Sequence, residues 1–173
     1  MLNERVILRA VEPDDVDFIY QLENDPENWH VSNTIVPFSR FAVEQYVLSS
    51  NQDIFALKQL RLIIIANDSP EQKLIGAIDL FDFDPIHKRA GIGIIIIFEE
   101  QRKGYATATL KLIIDYCFNT LALHQIYCNV TADNKPSLDL FQKLGFVSCG
   151  VKRDWIFQNN EWKDELILQL LYR

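Results

Sequence analysis

The chain has 173 residues, enough to bury a sizeable core within one domain. Hydrophobic residues make up 49% and charged residues 24%, which is ordinary for a globular protein and unlike a disordered chain. The formal net charge of −7 argues against broad nucleic-acid binding, which needs a basic surface, and agrees weakly with a cationic or amine partner.

The residue pattern in the N-terminal part of the chain predicts one strand followed by two helices. Arg5–Val11 alternates between polar and apolar residues, as a half-buried strand does. Pro13 and the carboxylates around it indicate the start of a helix with an apolar face, and a second helix is predicted from about 40 to 50. The segment between them, WHVSNTIVPFS (29–39), is polar, and we expect it to be irregular.

Strands dominate the middle of the chain. Segments 60–66 and 74–84 are apolar, and a stretch with the composition of a turn separates them. The tetrapeptide PIHK (85–88) predicts a hairpin that leads into a third strand, 89–98. Apolar residues then recur at helical spacing from 105 to 121, so we expect a helix to follow this strand.

The C-terminal part predicts one more strand and helix, and then a hairpin. A buried strand, 126–132, precedes a short helix that ends at Gly145, a suitable C-terminal cap. Two further strands, 148–157 and 163–172, are joined by a turn within QNNEW. The order β-α-α-β-β-β-α-β-α-β-β predicts a mixed α/β (α+β) fold with a largely antiparallel sheet, and with no linker in sight we expect one domain, 1–173.

The cysteines and the ends of the chain bear on its environment. Cys117, Cys128 and Cys149 form no CxxC pair and stand in apolar sequence, so we expect buried free thiols in a reducing compartment. The chain opens without a charged-then-apolar leader, and its longest apolar run, Ile92–Phe98, is too short to span a bilayer. These features predict a cytoplasmic protein that does not enter a membrane.

The hexapeptide QRKGYA (Gln101–Ala106) carries the first chemical signal. It joins a buried strand to a helix, whose first turn has unpaired N–H groups and a partial positive charge. Gly104 lets an anion approach these amides closely, while Arg102 and Lys103 add positive charge. This arrangement predicts a pyrophosphate site, although an ordinary glycine-containing loop would look the same in isolation. The Walker and dinucleotide-binding motifs are absent.

A second motif, NKPSLDLFQKLGF (134–146), directly follows a predicted strand. Together the two segments resemble the GCN5-related N-acetyltransferase (GNAT) family. In that family a Q/R-x-x-G-x-G/A loop binds the pyrophosphate of acetyl-CoA, and an N-x-x-S/A-x-x-x-[YF]-x-K-x-G-F helix packs along the pantetheine arm. The stretches PIHKRAGIGIII, IYCNVTADNKPS and LFQKLGF are similar to the spermidine/spermine acetyltransferase branch and its RimJ/RimL-type neighbours. The resemblance implies the GNAT fold, with one mostly antiparallel sheet of about seven strands, flanking helices and a splayed central strand pair.

The resemblance also implies a set of acetyl-CoA-binding residues. The main chain of Gly93, Ile94, Ile95 and Ile96 would pair with pantetheine like an added strand, and one N–H near Ile95 would stabilise negative charge on the thioester oxygen. Asn134 would hydrogen-bond pantetheine, although it is equally suited to capping the helix. Lys143 in the same helix is assigned to the cofactor, and no metal is expected. The pyrophosphate would be held by the amides of Gln101, Arg102, Lys103, Gly104, Tyr105 and Ala106.

The chain departs from its relatives where protons must move. Polyamine acetyltransferases carry a tyrosine in the second motif as proton donor to the leaving thiolate, and the matching residue here is Phe141, which cannot donate. Many relatives also place a glutamate at the start of the central strand, where this chain has Gly91. Ser137 is the expected replacement donor; a serine that caps the helix or faces solvent is the equal alternative.

The acceptor amine must lose a proton before it attacks, since a lysine-like amine has a pKa of about 10.4. Asp82 is the first candidate for the base and Asp79 the second. Three residues apart on one strand, their side chains should point to opposite faces unless a bulge intervenes. For each, a solvated carboxylate beside a turn is the alternative.

The acceptor pocket falls in the segment between the first two helices. The resemblance places Trp29, Ser32 and Asn33 there. WHVSNTIVPFS lacks the acidic pair with which polyamine enzymes bind an allosteric amine, so polyamine regulation is not expected.

These observations predict an acetyl-CoA-dependent N-acetyltransferase that acts on a primary amine (a polyamine, a small amine or a peptide N-terminus) by direct attack in a ternary complex. One alternative is a ribosomal-protein N-terminal acetyltransferase. Another is a non-catalytic CoA or acetyl-CoA sensor, which a cleft plugged by Phe83 or Trp155 would favour. The expected partners are acetyl-CoA and the amine, without nucleic acid or membrane. A homo-oligomer is compatible with the sequence, with a dimer as the first expectation.

Overall fold

A computed structural model describes residues 1–32, 34–50, 53–68 and 71–173, without the side chains of residues 30–32. The strands within these ranges are β1 (Val6–Ala10), β2 (Leu60–Ala66), β3 (Leu74–Asp84), β4 (Arg89–Ile96), β5 (Gln125–Thr131), β6 (Val147–Gln158) and β7 (Glu161–Leu171). The helices are α1 (Val16–Asn24), α2 (Pro26–Ser32), α3 (Arg40–Ser49), α4 (Ile54–Leu57), α5 (Tyr105–Asp115) and α6 (Lys135–Lys143).

The strands form one seven-stranded sheet in the order β1-β2-β3-β4-β5-β7-β6. Every neighbouring pair is antiparallel except β4 and β5, which are parallel because α5 carries the chain back across the sheet. This parallel pair is short, joining Arg89–Gly91 to Gln125–Tyr127. The predicted fold class, with its splayed central strand pair, is confirmed.

The two faces of the sheet have separate apolar clusters. On one face, side chains of α5 and α6 such as Leu110 and Phe141 pack with alternate residues of the strands, Ile92 and Ile126 among them. On the other face, Ile19 of α1 and the α3 residues Val43 and Val47 cover Ile63 and Ile65 of β2. Because side chains alternate along a strand, β4 presents Gly91, Gly93 and Ile95 toward this second face.

Local signals explain several element boundaries. The Ser39 side chain caps α3 by accepting a hydrogen bond from the Ala42 N–H (3.1 Å). Gly145, at φ +90°, ends α6 in a Schellman motif, in which the Phe146 N–H donates to Phe141 O at 3.1 Å. The β6–β7 hairpin turns at Asn159 and Asn160, both with positive φ, as a two-residue primed turn requires.

The structure differs in detail from three expectations of the sequence. Residues 29–32 are helical, as the end of α2, since Pro26 begins a helix that the polar composition concealed. The helix predicted over 105–121 ends its α-helical part at Asp115 and continues as a π-helical turn, Tyr116–Thr120. Cys149 is exposed, because a bulge in the edge strand β6 turns it out of the apolar layer that buries Cys117 and Cys128. Within the described ranges no helix is long and apolar enough to cross a membrane.

Candidate active site

The central feature is a gap between β4 and β5. Beyond the Gly91–Tyr127 pair the two strands diverge, and no other strand of the described chain pairs with β4 on that side. The Ile97 N–H donates to Ile75 O in β3, so by alternation the main chain of Gly93 and Ile95 also faces β3. The polar main-chain groups of Ile94 and Ile96 therefore point into the gap. An extended ligand can pair with them.

The turn after β4 is shaped to receive an anion. Gln101 ties the turn to the strand, because its Nε2 donates to Ile96 O at 2.9 Å. Arg102 and Gly104 both have positive φ (60° and 88°), and Gly104 is the N-cap of α5. Such a left-handed turn directs neighbouring N–H groups into one concavity at the positive end of the helix. The exposed turn therefore fits a pyrophosphate group.

The side-chain charges of this turn are partly committed to each other. Lys103 Nζ lies 2.8 Å from Glu100 Oε2, and Lys73 Nζ lies 2.9 Å from Glu100 Oε1. These two ammonium groups lower the pKa of Glu100 below its usual range. Arg102 is exposed and forms no ion pair with the described residues. Its charge can therefore act on an anion in the turn without an ion pair being broken first.

The start of α6 follows β5 directly, at the end of that strand where it has diverged from β4. Asn134 caps the helix: its Oδ1 accepts from the Ser137 N–H at 3.2 Å. Ser137 is half-buried and stands one turn before Phe141 on the same helical face. Phe141 is only 4% exposed and packs edge-on against Phe146, so this residue belongs to the core. Lys143 is exposed in the last turn of α6, at the end away from the gap.

The geometry explains why a glycine occupies position 91. A Cβ there would lie 2.2 Å from Cε2 of Phe81, whose ring covers the glycine from the neighbouring strand β3. The same ring packs edge-on against Tyr127 of β5, with centroids 5.8 Å apart. Phe81 thus fills the space that a side chain at position 91 would need.

A bulge at the end of β3 brings Asp82 to the same side as these aromatic rings. The ladder with β4 gains one residue on β3 between Phe81 and Asp84, and Asp82 has a φ of +49°. The Tyr127 hydroxyl donates to Asp82 Oδ2 at 3.0 Å. Burial and this hydrogen bond raise the pKa of Tyr127 to about 12, so the phenol stays protonated at neutral pH.

Asp79 lies on the same face but is held by an arginine. It is directly opposite Gly93 in the ladder. Arg61 Nε and Nη2 donate to its two carboxylate oxygens at 2.7 and 2.9 Å, and Nη1 of the same guanidinium pairs with Glu23 of α1. Tyr46 stacks on this guanidinium at 5.4 Å. Both oxygens of Asp79 accept charged hydrogen bonds and the residue is half-buried, so Asp79 is less accessible to an incoming amine than the exposed Asp82.

Two open clefts lie on this face of the sheet. The first, of about 710 Å³, is lined by Asp82, Tyr127, Arg89 and Lys58 with an apolar wall that includes Phe83. The second, of about 450 Å³, lies between α2 and the β6–β7 hairpin. Its walls include Trp29, Glu27, Trp155 and Phe157.

The structure brings some of the expected residues together and leaves others apart. Trp29 lines the second cleft and donates through Nε1 to Glu23 O at 2.9 Å. Ser32 ends α2, but its side chain is outside the described atoms, and Asn33 lies outside the described residues. Among the described residues, no three His, Cys, Asp or Glu side chains are grouped to hold a metal ion.

Sequence reasoning missed two functional candidates, Tyr127 and Arg61. Tyr127 stands within an alternating strand and resembles any half-buried aromatic residue. Arg61 is the second residue of an apolar strand, and neither of its carboxylate partners is near it in sequence. The one available signal was Gly91 itself, because a glycine inside a strand often marks the close approach of another group.

Comparisons with known proteins agree with this geometry. The family model for the acetyltransferase (GNAT) domain matches residues 5–147. The chain is 30% identical over 166 residues to the spermidine N(1)-acetyltransferase of Vibrio cholerae, covering 94% of this chain and 91% of that protein.

Two solved structures of that kind share the fold. A spermidine N-acetyltransferase from Vibrio cholerae in complex with CoA and spermine superposes with a TM-score of 0.88 at 28% identity, over 98% of this chain and 96% of the other. A dodecameric structure of the spermidine N-acetyltransferase from the same organism superposes with a TM-score of 0.80 at 29% identity, over 98% of this chain and 95% of the other.

Proposed function

The chain belongs to the GNAT acetyltransferase family and is an acetyl-CoA-dependent N-acetyltransferase, and on that premise we propose how its residues bind acetyl-CoA and move protons. The acceptor is a primary amine, which attacks the thioester directly within a ternary complex. One observation carries the proposal: β4 keeps an unpaired edge beside a left-handed glycine turn at the start of a helix.

The cofactor site follows from main-chain geometry. The N–H and C=O of Ile94 and the N–H of Ile96 face the gap and pair with the pantetheine arm, and one of these N–H groups stabilises negative charge on the thioester oxygen. The N–H proposed here belongs to Ile94 or Ile96, next to Ile95, the residue near which the sequence predicts it. The turn from Gln101 to Ala106 holds the pyrophosphate. Asn134 orients α6 along the pantetheine arm, and Lys143 stays a prediction at the far end of that helix.

Asp82 binds the incoming ammonium group and takes its proton, directly or through a water molecule. Support comes from its position: it lines the larger cleft, is exposed, and is oriented by the Tyr127 hydroxyl. The ammonium proton passes to the carboxylate and then to solvent, which frees the nitrogen lone pair to attack the acetyl carbon, and the second N–H proton leaves to solvent as the amide forms. Asp79 pairs with Arg61, and this ion pair contributes to the shape and charge of the cleft floor.

Ser137 gives a proton to the leaving thiolate and regains one from solvent. The C–S bond breaks next to the N-terminus of α6, where Ser137 is half-buried beside the gap. Phe141, in the place of the family's tyrosine, lies in the core and takes no part. A missing acid of this kind slows the reaction by about 10²-fold without abolishing it, because positioning and the oxyanion donor remain.

The open clefts favour the enzyme over a sensor. Phe83 is packed edge-on against Phe55 and is 3% exposed, so it forms a wall and does not plug the cleft. Trp155 is 59% exposed at the mouth of the second cleft. Trp29, Ser32 and Asn33 stay the proposed acceptor-pocket residues, with a polyamine, another small amine or a peptide N-terminus as the acceptor.

An amine-panel assay tests the proposal. Thiol release from acetyl-CoA is followed with polyamines, other small amines and peptide N-termini, for the wild type, Asp82→Asn and Ser137→Ala. We expect amine-dependent release that falls in both variants, while Asp139→Asn, an exposed carboxylate variant on α6, keeps wild-type rates. Unchanged rates in both test variants would remove the proton-transfer proposal, and CoA binding without acetylation of any amine would favour the sensor.

The assembly is a separate proposal. We keep the homodimer expected from the sequence as a prediction for sedimentation velocity at micromolar concentration. The related Vibrio cholerae enzyme has a dodecameric structure, so a species of that size would contradict it.

A further inference from the structure

Arg5 lies next to the pyrophosphate turn although it precedes β1 at the other end of the chain. Its Nη2 donates to the main-chain oxygen of Lys103 at 2.6 Å. The same nitrogen lies 4.0 Å from the point where a Cβ on Gly104 would stand. A side chain from the N-terminus therefore holds one peptide group of the turn.

Two further side chains hold the guanidinium in place. Arg5 Nε pairs with Asp68 Oδ2 at 2.8 Å, and the Tyr105 hydroxyl donates to Asp68 Oδ1 at 2.7 Å. The guanidinium carbon lies 5.1 Å from the centroid of the Tyr105 ring, within the range of a cation–π contact. Arg5, Asp68 and Tyr105 thus form a closed network that joins the chain before β1, the end of β2 and the start of α5.

The hydrogen bond to Lys103 O has a consequence for the opposite side of the peptide group. In a planar trans peptide the C=O of Lys103 and the N–H of Gly104 point in opposite directions. Arg5 holds the oxygen on its own side, so the Gly104 N–H is directed away from Arg5. Gly104 has a φ of +88°, which a glycine adopts readily because it has no Cβ.

We propose that Arg5 is a positioning residue of the acetyl-CoA site: it orients the Lys103–Gly104 peptide so that its N–H faces the pyrophosphate. The inference rests on the acetyl-CoA site of the proposed function. Asp68 and Tyr105 hold the guanidinium at the required angle, and the Arg5 charge offsets the Asp68 carboxylate, which would otherwise repel the phosphates.

Binding measurements with three ligands test this role without any acceptor amine. Dissociation constants for CoA, 3′-dephospho-CoA and pantetheine are measured by calorimetry or ligand-observed NMR for the wild type and Arg5→Ala. We expect Arg5→Ala to raise the dissociation constants for CoA and 3′-dephospho-CoA by the same factor, about tenfold, because a charge-assisted hydrogen bond is lost. Pantetheine, which has no pyrophosphate, should bind both proteins equally.

Matched variants separate positioning by Arg5 from a general effect of removing a surface charge. Arg40→Ala removes a similarly exposed arginine (54% against 47%) that is also ion-paired, but on α3, and should leave all three constants unchanged. Arg5→Lys keeps the charge without the planar fork and should recover only part of the loss. Tyr105→Phe, which frees Asp68, should weaken CoA about twofold and serves if Arg5→Ala does not fold.

Several results would overturn the proposal. These are an unchanged CoA constant in Arg5→Ala, an equal loss for pantetheine, or a loss that disappears with 3′-dephospho-CoA, which would mean a contact to the 3′-phosphate. If the double variant Arg5→Ala/Asp68→Asn bound CoA as the wild type does, the loss in Arg5→Ala would come entirely from the unpaired Asp68 charge and not from the orientation of the peptide. A wild type that binds CoA but acetylates no amine refutes the proposed function and leaves this measurement intact.

Discussion

The cofactor side and the acceptor side of this site are built in different ways. The proposed cofactor side lies in one contiguous stretch, Gly93–Ala106, and consists of main-chain groups of a strand edge and a glycine turn. The acceptor side is built from side chains that α1, β2, β3 and β5 bring together, such as Arg61, Asp82 and Tyr127. A main-chain site survives changes of side chain, whereas a side-chain site depends on every element that positions it.

The largest expected effect tests the acceptor side alone. Asp82→Asn should lower kcat/KM for the amine by about 10²-fold, because the carboxylate that takes the ammonium proton is gone. The dissociation constant for CoA should not change, since Asp82 is remote from the turn in the fold. Steady-state kinetics and a CoA titration measure the two quantities, and a parallel loss of CoA binding would break the separation of the two sides.

The second prediction concerns the floor that the two sides share. Gly91→Ala should lower the free energy of unfolding by about 1–3 kcal/mol, because its Cβ would overlap the Phe81 ring. Gly93→Ala is the matched control on the same face of the same strand. Its Cβ would lie 3.9 Å from Phe81, an ordinary contact, and we expect a change below about 1 kcal/mol.

Urea unfolding monitored by tryptophan fluorescence compares these two variants. Equal stabilities would mean that Phe81 moves aside freely. A glutamate of the kind that relatives carry would then fit at position 91.

The third prediction tests the cofactor side. Gly104→Ala forces a Cβ into a left-handed conformation (φ +88°), which costs about 1–2 kcal/mol and so shifts the turn away from its anion-binding shape. The KM for acetyl-CoA should rise about tenfold with kcat nearly unchanged. Gly150→Ala, on β6 with room for a Cβ at 3.6 Å, is the control. An unchanged KM in Gly104→Ala would remove the glycine argument.

The smallest effect is a pH dependence on the acceptor side. The pKa of Tyr127 is raised to about 12, so the folded protein holds this proton more tightly than the unfolded chain does. The resulting stability is fully present below about pH 10 and is lost as pH rises toward 12. Between pH 9 and 12 the free energy of unfolding should therefore fall less steeply with pH in Tyr127→Phe than in the wild type. A titration followed by phenolate absorbance should show one late-titrating tyrosine fewer in this variant. Identical curves would contradict the Asp82–Tyr127 pairing.

Sequence patterns predicted the elements that rest on local rules. The limits of β2 and β3 follow from their apolar runs, and Gly145 ends α6 because only glycine readily adopts its left-handed φ. The glycine turn proposed to hold the pyrophosphate was predictable as a turn for the same reason, since a strand, a glycine and a helix start are adjacent in the chain. The α2 helix was missed because its few apolar residues carry no clear period.

By itself, the sequence determined the fold class, the order of the strands along the chain and the main-chain features on which the proposed cofactor site rests, because these depend on periodicity and on glycine at defined positions. Only the tertiary structure distinguishes the two carboxylates that are candidates for the proposed acceptor side. A bulge turns Asp82 toward Tyr127, and Arg61 occupies Asp79. It also decided that Phe81 excludes any side chain at position 91 and that Arg5 holds the turn. These contacts join residues far apart in sequence, and no local pattern encodes their distances.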